Sequence, residues 1–353
     1  MSLRAQLGQL FIVGVESTTL SPIEAAWMRL IRPGGIILFR RNIEEAVQVT
    51  HLLRQATEIA GAPMFRCVDL EGGLVDRLRD LIAPMPSAAA VFASGKPANF
   101  TRHGRLIAHE ARTLGFNVVL APVLDLALPA SRSVMQTRAV SPDPAAVITY
   151  AQSFIQGLTT HGVLGCGKHF PGLGAGASDS HHATPHIGRS WEQLWSQDLA
   201  PFRTLAAQLP LIMVSHASYR RAKDRAPASV SPFWISTVLR KRMGYRGLVL
   251  SDDLEMGGIL AQSSIEDAAI GAILAGTDLI EICRDPVLVL CAYEAVLSEA
   301  EHSQALRRRV AQSSRRILES KNRLLDAQMP RPASSAQIQK LRAAVQQFSG
   351  ELQ

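Results

Sequence analysis

The sequence predicts an α/β fold: a (β/α)8 TIM barrel in a single domain, with extra C-terminal helices. Three observations carry that expectation. Short apolar runs alternate with amphipathic helical patterns eight times along the chain. A length of 353 residues suits one such barrel and leaves no room for a second large domain. Ionisable residues recur just past the apolar runs, where barrel strands hand over to loops. A doubly wound parallel sheet is the other architecture that this alternation allows.

Strands are predicted at 10–15, 35–39, 64–68, 117–120, 165–170, 211–215, 248–251 and 278–282, each a β-prone apolar run bounded by polar or turn residues. Between them, "SPIEAAWMRLI" opens with an S-x-x-E capping box at Ser21 and Glu24 and places Pro22 at the first helical position. Further helices are predicted in "DPAAVITYAQSFIQGLTTHG", "WEQLWSQDLAPFRTLAAQ" and "SPFWISTVLRKRMG". In "RRRVAQSSRRILESKNR" and its flanks, Leu306, Val310, Ile317 and Leu324 recur at helical spacing, which makes the arginines a solvated face. "MPRPASSAQ" then breaks the chain before a last helix bearing Ile338, Leu341, Val345 and Phe348. The expected division is a barrel with its C-terminal helices over 1–327, followed by a short linker and a packed terminal helix over 328–353.

Composition narrows the class. With 47% hydrophobic and 19% charged residues the chain reads as soluble and globular. Its formal charge of +7 could draw anionic ligands, but no aromatic-and-basic platform accompanies it, so no nucleic-acid partner is expected. Cys67, Cys166, Cys283 and Cys291 are scattered and read as reduced thiols. The apolar N-terminal run lacks a small-residue cleavage site and is too short to span a bilayer. A cytoplasmic monomer with a small-molecule partner, and no membrane partner, is expected.

The barrel reading turns positions into candidates. Asp69, Asp125, Lys168, His169, His216, Asp252 and Asp253 all fall at the ends of predicted strands and should share one rim. Past the fifth strand comes "KHFPGLGAGASDSHH", a glycine-rich loop for which three chemistries compete. His169, His181, His182 and His186 with Asp179 and Asp252 could supply zinc ligands, though no recurrent zinc spacing is present. "PGLGAG" beside Lys168 could present N–H groups to a phosphate, without the order of a phosphate-binding loop. The third is cleavage of a glycosidic bond. It needs a rigid carboxylate such as Asp252 and a proton donor such as His181, with Asp179 close enough to favour the imidazolium.

The motifs together resemble the bacterial β-N-acetylglucosaminidases of glycoside hydrolase family 3. "KHFPG", "DSH" and "SDDL-x-M" carry the resemblance, with "GGIILFRRN", "VDLEGGLVDRL", "LAPVLDL", "TRAVSPDP" and "MVSHASYRRAKDRAPASVSP" in the family's order. The resemblance implies an exo-acting retaining enzyme without metal or organic cofactor. It implies Asp252 as nucleophile, His181 as general acid and base with Asp179 as its partner, and Asp69, Arg77, Arg138, Lys168 and His169 as groups holding the sugar. It also implies a peptidoglycan-turnover substrate, N-acetylglucosamine linked to 1,6-anhydro-N-acetylmuramic acid with or without peptide. The chain departs from the family with Leu70 for Gln, Leu74 for Arg and Leu173 for His. A phosphorylase or β-glucosidase of the same family, a zinc hydrolase and a sugar-binding barrel without catalysis are the rival readings. Gly172, Gly174 and Gly176 are expected to let the loop carry His181 over a bound sugar.

Overall fold

Eight parallel strands close into a barrel in the computed structural model, which describes residues 1–178, 183–220, 226–325 and 329–352. They are β1 (Phe11–Val13), β2 (Gly35–Leu38), β3 (Phe65–Val68), β4 (Val118–Val119), β5 (Leu164–Phe170), β6 (Leu211–Val214), β7 (Leu248–Asp253) and β8 (Leu279–Ile282). Each pairs with its neighbours in chain order, and β1 returns to β8 with Phe11 opposite Ile280. The (β/α)8 expectation holds and the open doubly wound sheet does not. Helices pack round the barrel, so the strands are buried on both faces and mostly apolar, with their charged residues at particular positions such as Lys168, Asp252 and Glu281. All eight predicted strands exist. The fourth is shorter than predicted; at its start the side chain of Asn117 accepts from Arg66 N–H at 2.7 Å and donates to the Met64 carbonyl at 3.0 Å.

Local signals set the helix ends. Glu24 N–H donates to Ser21 Oγ at 3.2 Å and Ser21 N–H donates to Glu24 Oε2 at 2.7 Å, completing the predicted capping box of helix Pro22–Ile31. Helix Pro144–Thr159 starts on an Asp143 cap. Two predicted α-helices turn out to be wider: Leu194–Asp198 and Phe233–Arg242 wind as π-helix. Buried Trp234, Ile235, Val238 and Leu239 sit one and four apart, a spacing that α and π turns both satisfy, so periodicity could not separate them.

The cation-rich helix Gln304–Leu324 buries Leu306, Val310 and Ile317 as expected, but its polar side is not all solvated. Asp278, fully buried at the start of β8, draws Arg240, Arg309 and Arg316 inward and also accepts from Ser313. Lys321 is 2% exposed beneath the barrel, where its Nζ donates to Gln9 Oε1 at 2.7 Å and lies over the Phe65 ring. Burial pushes that ammonium down to about 7. The last helix, Ser335–Gly350, buries Ile338, Leu341, Val345 and Phe348 against helix Pro97–Leu114. All four cysteines are unbridged, and among the described residues no helix is long and apolar enough to cross a membrane.

Candidate active site

At the C-terminal mouth of the barrel, strand ends and short connections bring five of the predicted residues into one charged network. Asp69 follows β3. Arg77 returns to it by an antiparallel hairpin, Leu70–Gly72 against Val75–Asp76. Lys168 and His169 belong to β5, whose pairing with β6 shifts register between Gly167 and Phe170. Such a bulge turns side chains away from strict alternation. Arg138 arrives from the loop before helix Pro144–Thr159.

The contacts form a continuous chain of charges. Arg77 donates to Asp69 Oδ2 at 3.3 Å, and Lys168 Nζ donates to Asp69 Oδ1 at 2.9 Å. Lys168 Nζ also lies 2.6 Å from Glu71 Oε1. Both oxygens of Glu71 accept a fork from Arg138, Nε to Oε2 and Nη2 to Oε1, each at 2.8 Å. Arg138 Nη2 then reaches His169 Nε2 at 3.4 Å, and His169 Nδ1 sits 2.6 Å from Asp125 Oδ2. A donor on one side and a carboxylate on the other assign the His169 proton to Nδ1. Burial alone would raise these acids, yet Lys168 and Arg77 hold Asp69 well below the usual carboxylate range, and Arg138 with Lys168 holds Glu71 at about 2. Lys168 and Arg138 are buried too, but the facing carboxylates raise both above their ordinary values. Asp69, Glu71, Lys168 and Arg138 are thus held in their charged forms as fixed acceptors and donors.

Asp252 stands half-buried near the end of β7, where the pairing with β8 also shifts register, between Leu250 and Asp253. Its Oδ1 accepts from Asp253 N–H at 3.0 Å. Asp253 serves as a turn acceptor, taking Glu255 N–H at 3.0 Å, and burial beside the Glu255 and Asp252 charges lifts its carboxyl to about 7. His216 on the rim after β6 is a strut. Its Nε2 donates to the Asp253 carbonyl at 2.9 Å while Nδ1 accepts from Ser229 at 2.8 Å, so its lone pair is spoken for.

Asp179 and His181, and with them His182, lie outside the described residues. Of the other proposed zinc ligands, His169 is engaged by Asp125, and His186 Nδ1 lies 3.0 Å from Ser218 Oγ. Among the described residues no group of three His, Cys, Asp or Glu side chains is placed to hold a metal ion. The phosphate alternative finds three of its donors in use. Gly172 N–H goes to the His169 carbonyl, Gly176 N–H to the Leu173 carbonyl, and Leu173 N–H to Asp125 Oδ1 at 2.6 Å, so a carboxylate already fills that turn. Two of the loop glycines have a packing reason. A Cβ on Gly172 (φ +127°) would come within 2.9 Å of Asp198 Cβ, and one on Gly174 within 2.5 Å of the Leu126 carbonyl.

Glu71 escaped the sequence reading. The available signal was position: Glu71 lies two residues past Asp69, in the segment that also supplies Arg77. Buried Glu281 on β8 was missed as well. Burial, together with the Asp69, Asp253 and Asp252 charges, raises its carboxyl well above the ordinary range.

A closed (β/α)8 barrel with acceptors, cations and a carboxylate gathered at its C-terminal mouth has the build of a barrel enzyme acting on a polar small molecule. Residues 2–320 match the glycosyl hydrolase family 3 N-terminal domain, and the chain belongs to that family of glycoside hydrolases. It is 33% identical over 318 residues to a β-hexosaminidase of Idiomarina loihiensis, covering 88% of this chain and 96% of that one. Identity to the β-hexosaminidase of Alkalilimnicola ehrlichii is 38% over 285 residues, or 79% of this chain and 81% of the other. Among solved structures, a family 3 β-N-acetylglucosaminidase from Paenibacillus sp. superposes with a TM-score of 0.91 at 30% identity, over 99% of this chain and 69% of that one.

Proposed function

We propose that this chain is an exo-acting retaining β-N-acetylglucosaminidase that removes terminal β-linked N-acetylglucosamine from peptidoglycan-turnover fragments. The observation that carries the reading is the Asp69–Lys168–Glu71–Arg138–His169 network on the same barrel mouth as Asp252. Asp69 accepts from sugar hydroxyls while Lys168, Arg77 and Arg138 donate, each such charge-assisted bond contributing roughly 1.5–3 kcal/mol. Held on strand ends, these groups fix the anomeric carbon over Asp252. The Asp252 carboxylate attacks that carbon as His181, oriented by Asp179, gives its proton to the departing oxygen. Water, losing a proton to the same imidazole, then attacks the anomeric carbon and displaces Asp252. A hollow of about 840 Å³ beside Asp253 leaves room for the second sugar.

The test compares nitrophenol release from the β-N-acetylglucosaminide and the β-glucoside, in phosphate-free buffer. Preference for the acetamido sugar is expected; equal or glucose-favouring rates sink the substrate assignment. A strict requirement for added phosphate, with sugar 1-phosphate as product, would turn the assignment to a phosphorylase.

A further inference from the structure

A basic feature lies at the opposite end of the barrel from Asp252. A hollow of about 780 Å³ opens where β5, β6 and β7 begin, floored by apolar groups that include Leu209, Pro210 and Met243. Three arginines from separate elements line it: Arg203 from helix Leu199–Leu205, Arg246 from the turn before β7, and Arg323 from the last turn of helix Gln304–Leu324. No Asp or Glu lines it among the described residues. Arg203 is pre-positioned, donating to the Trp195 carbonyl at 3.0 Å with its guanidinium 4.8 Å from the Trp195 ring centroid. Arg246 and Arg323 are exposed, and their side chains make no hydrogen bond or ion pair with described residues. A second hollow of about 260 Å³ shares the walls at Gly162 and Leu324 and adds Arg112 and Arg331.

We propose that this basin is a binding site for a small phosphorylated molecule with an apolar or planar body. Several like charges crowded round one concavity repel each other, and a doubly charged anion relieves that repulsion. Guanidinium forks match phosphate oxygens in pairs, and the apolar floor takes the body of the ligand. The volume suits a ligand of nucleotide size. The basin also gives a location to part of the chain's +7 charge, which the sugar site, with its balanced cations and carboxylates, does not use.

Binding of pyrophosphate and of ADP is measured by calorimetry and thermal shift at constant ionic strength, with sulfate as control. The parent is expected to bind ADP at least about tenfold more tightly than sulfate, and R246A/R323A to lose at least about tenfold in ADP affinity. Turnover of the nitrophenyl glycoside should be unchanged, because both arginines lie across the barrel from the catalytic mouth. R246K/R323K keeps the charge but loses the forks and should lose most of the affinity. Equal ADP binding by parent and R246A/R323A, full retention by the lysine pair, or ADP binding no tighter than sulfate each overturns the proposal.

Discussion

Replacing Glu71 gives the sharpest test of the network, because it alone joins both buried cations. Three cations, Arg77, Lys168 and Arg138, meet three carboxylates, Asp69, Glu71 and Asp125, so Glu71→Gln leaves one uncompensated positive charge in a dry site. Removing one partner from a buried ion pair costs about 3–5 kcal/mol. The titration of Glu71 gives a similar figure: a carboxyl that ionises at about 2 where an ordinary one does so at 4.5 contributes roughly 3 kcal/mol. At ~2.1 cal/mol/K per residue, the 353-residue chain unfolds with an entropy of about 0.74 kcal/mol/K, which converts 3–5 kcal/mol into a Tm drop of about 4–7 °C. Because the folded-state value is depressed, the stabilisation is complete above pH 4.5 and disappears as pH falls toward 2. Scanning calorimetry of parent and variant should therefore show a Tm gap at pH 7 that narrows below pH 4.5. On the nitrophenyl substrate kcat/KM should fall by about 100-fold, since Lys168 and Arg138 lose their aim. An unchanged Tm and unchanged kcat/KM for Glu71→Gln would refute the claim that this carboxylate positions the site.

Other outcomes follow from the same contacts. Asp252→Asn should cut turnover by on the order of 10³–10⁵-fold with Tm within a degree or so of the parent, and turnover above a tenth of parental would remove Asp252 as nucleophile. Asp253 titrates near 7, so the folded state holds its proton more tightly than the unfolded chain and loses stability as pH rises from 3.8 through 7. Asp253→Asn should accordingly raise Tm more at pH 8 than at pH 4; a pH-independent difference contradicts this. Lys321 is depressed to about 7 from 10.5, so the unfolded chain binds its proton more tightly between those values and stability rises with pH across them. Lys321→Met should gain most over the parent at pH 6 and least at pH 10, read by thermal melts. Gly172→Ala, meeting Asp198 in a left-handed backbone, should cost about 1–3 kcal/mol in urea unfolding, and a neutral result would show that the turn can relax.

The barrel was legible because each strand is buried on both faces, so runs such as "GIILF" and "GLVLSDD" stand out against their polar boundaries. Asp69, Lys168 and His169 were legible because strand ends are where a barrel places function, whereas Arg77 and Arg138 came only with the family resemblance; the structure joins all five in one network. Pairing was harder to read. Nothing in "VDLEGG" alone says that Glu71 faces inward to two cations delivered by segments 67 and 97 residues away. Arg309 and Arg316 misled for a related reason: helical spacing put them on a solvated face, while buried Asp278, from another part of the chain, draws them inward. Width of helix was beyond reach, since Phe233–Arg242 satisfies an α pattern while winding as π.

The offset pairing between β5 and β6 has a consequence for how much chemistry the rim can hold. An unbroken strand sends neighbouring side chains to opposite faces and so contributes one group per two residues to the mouth. Here adjacent Lys168 and His169 both join the same charged assembly. One rung of the ladder thus delivers two contacts: a one-residue insertion upstream of Lys168 would put Gly167 in the cation's place at the rim, and a one-residue deletion would put His169 there.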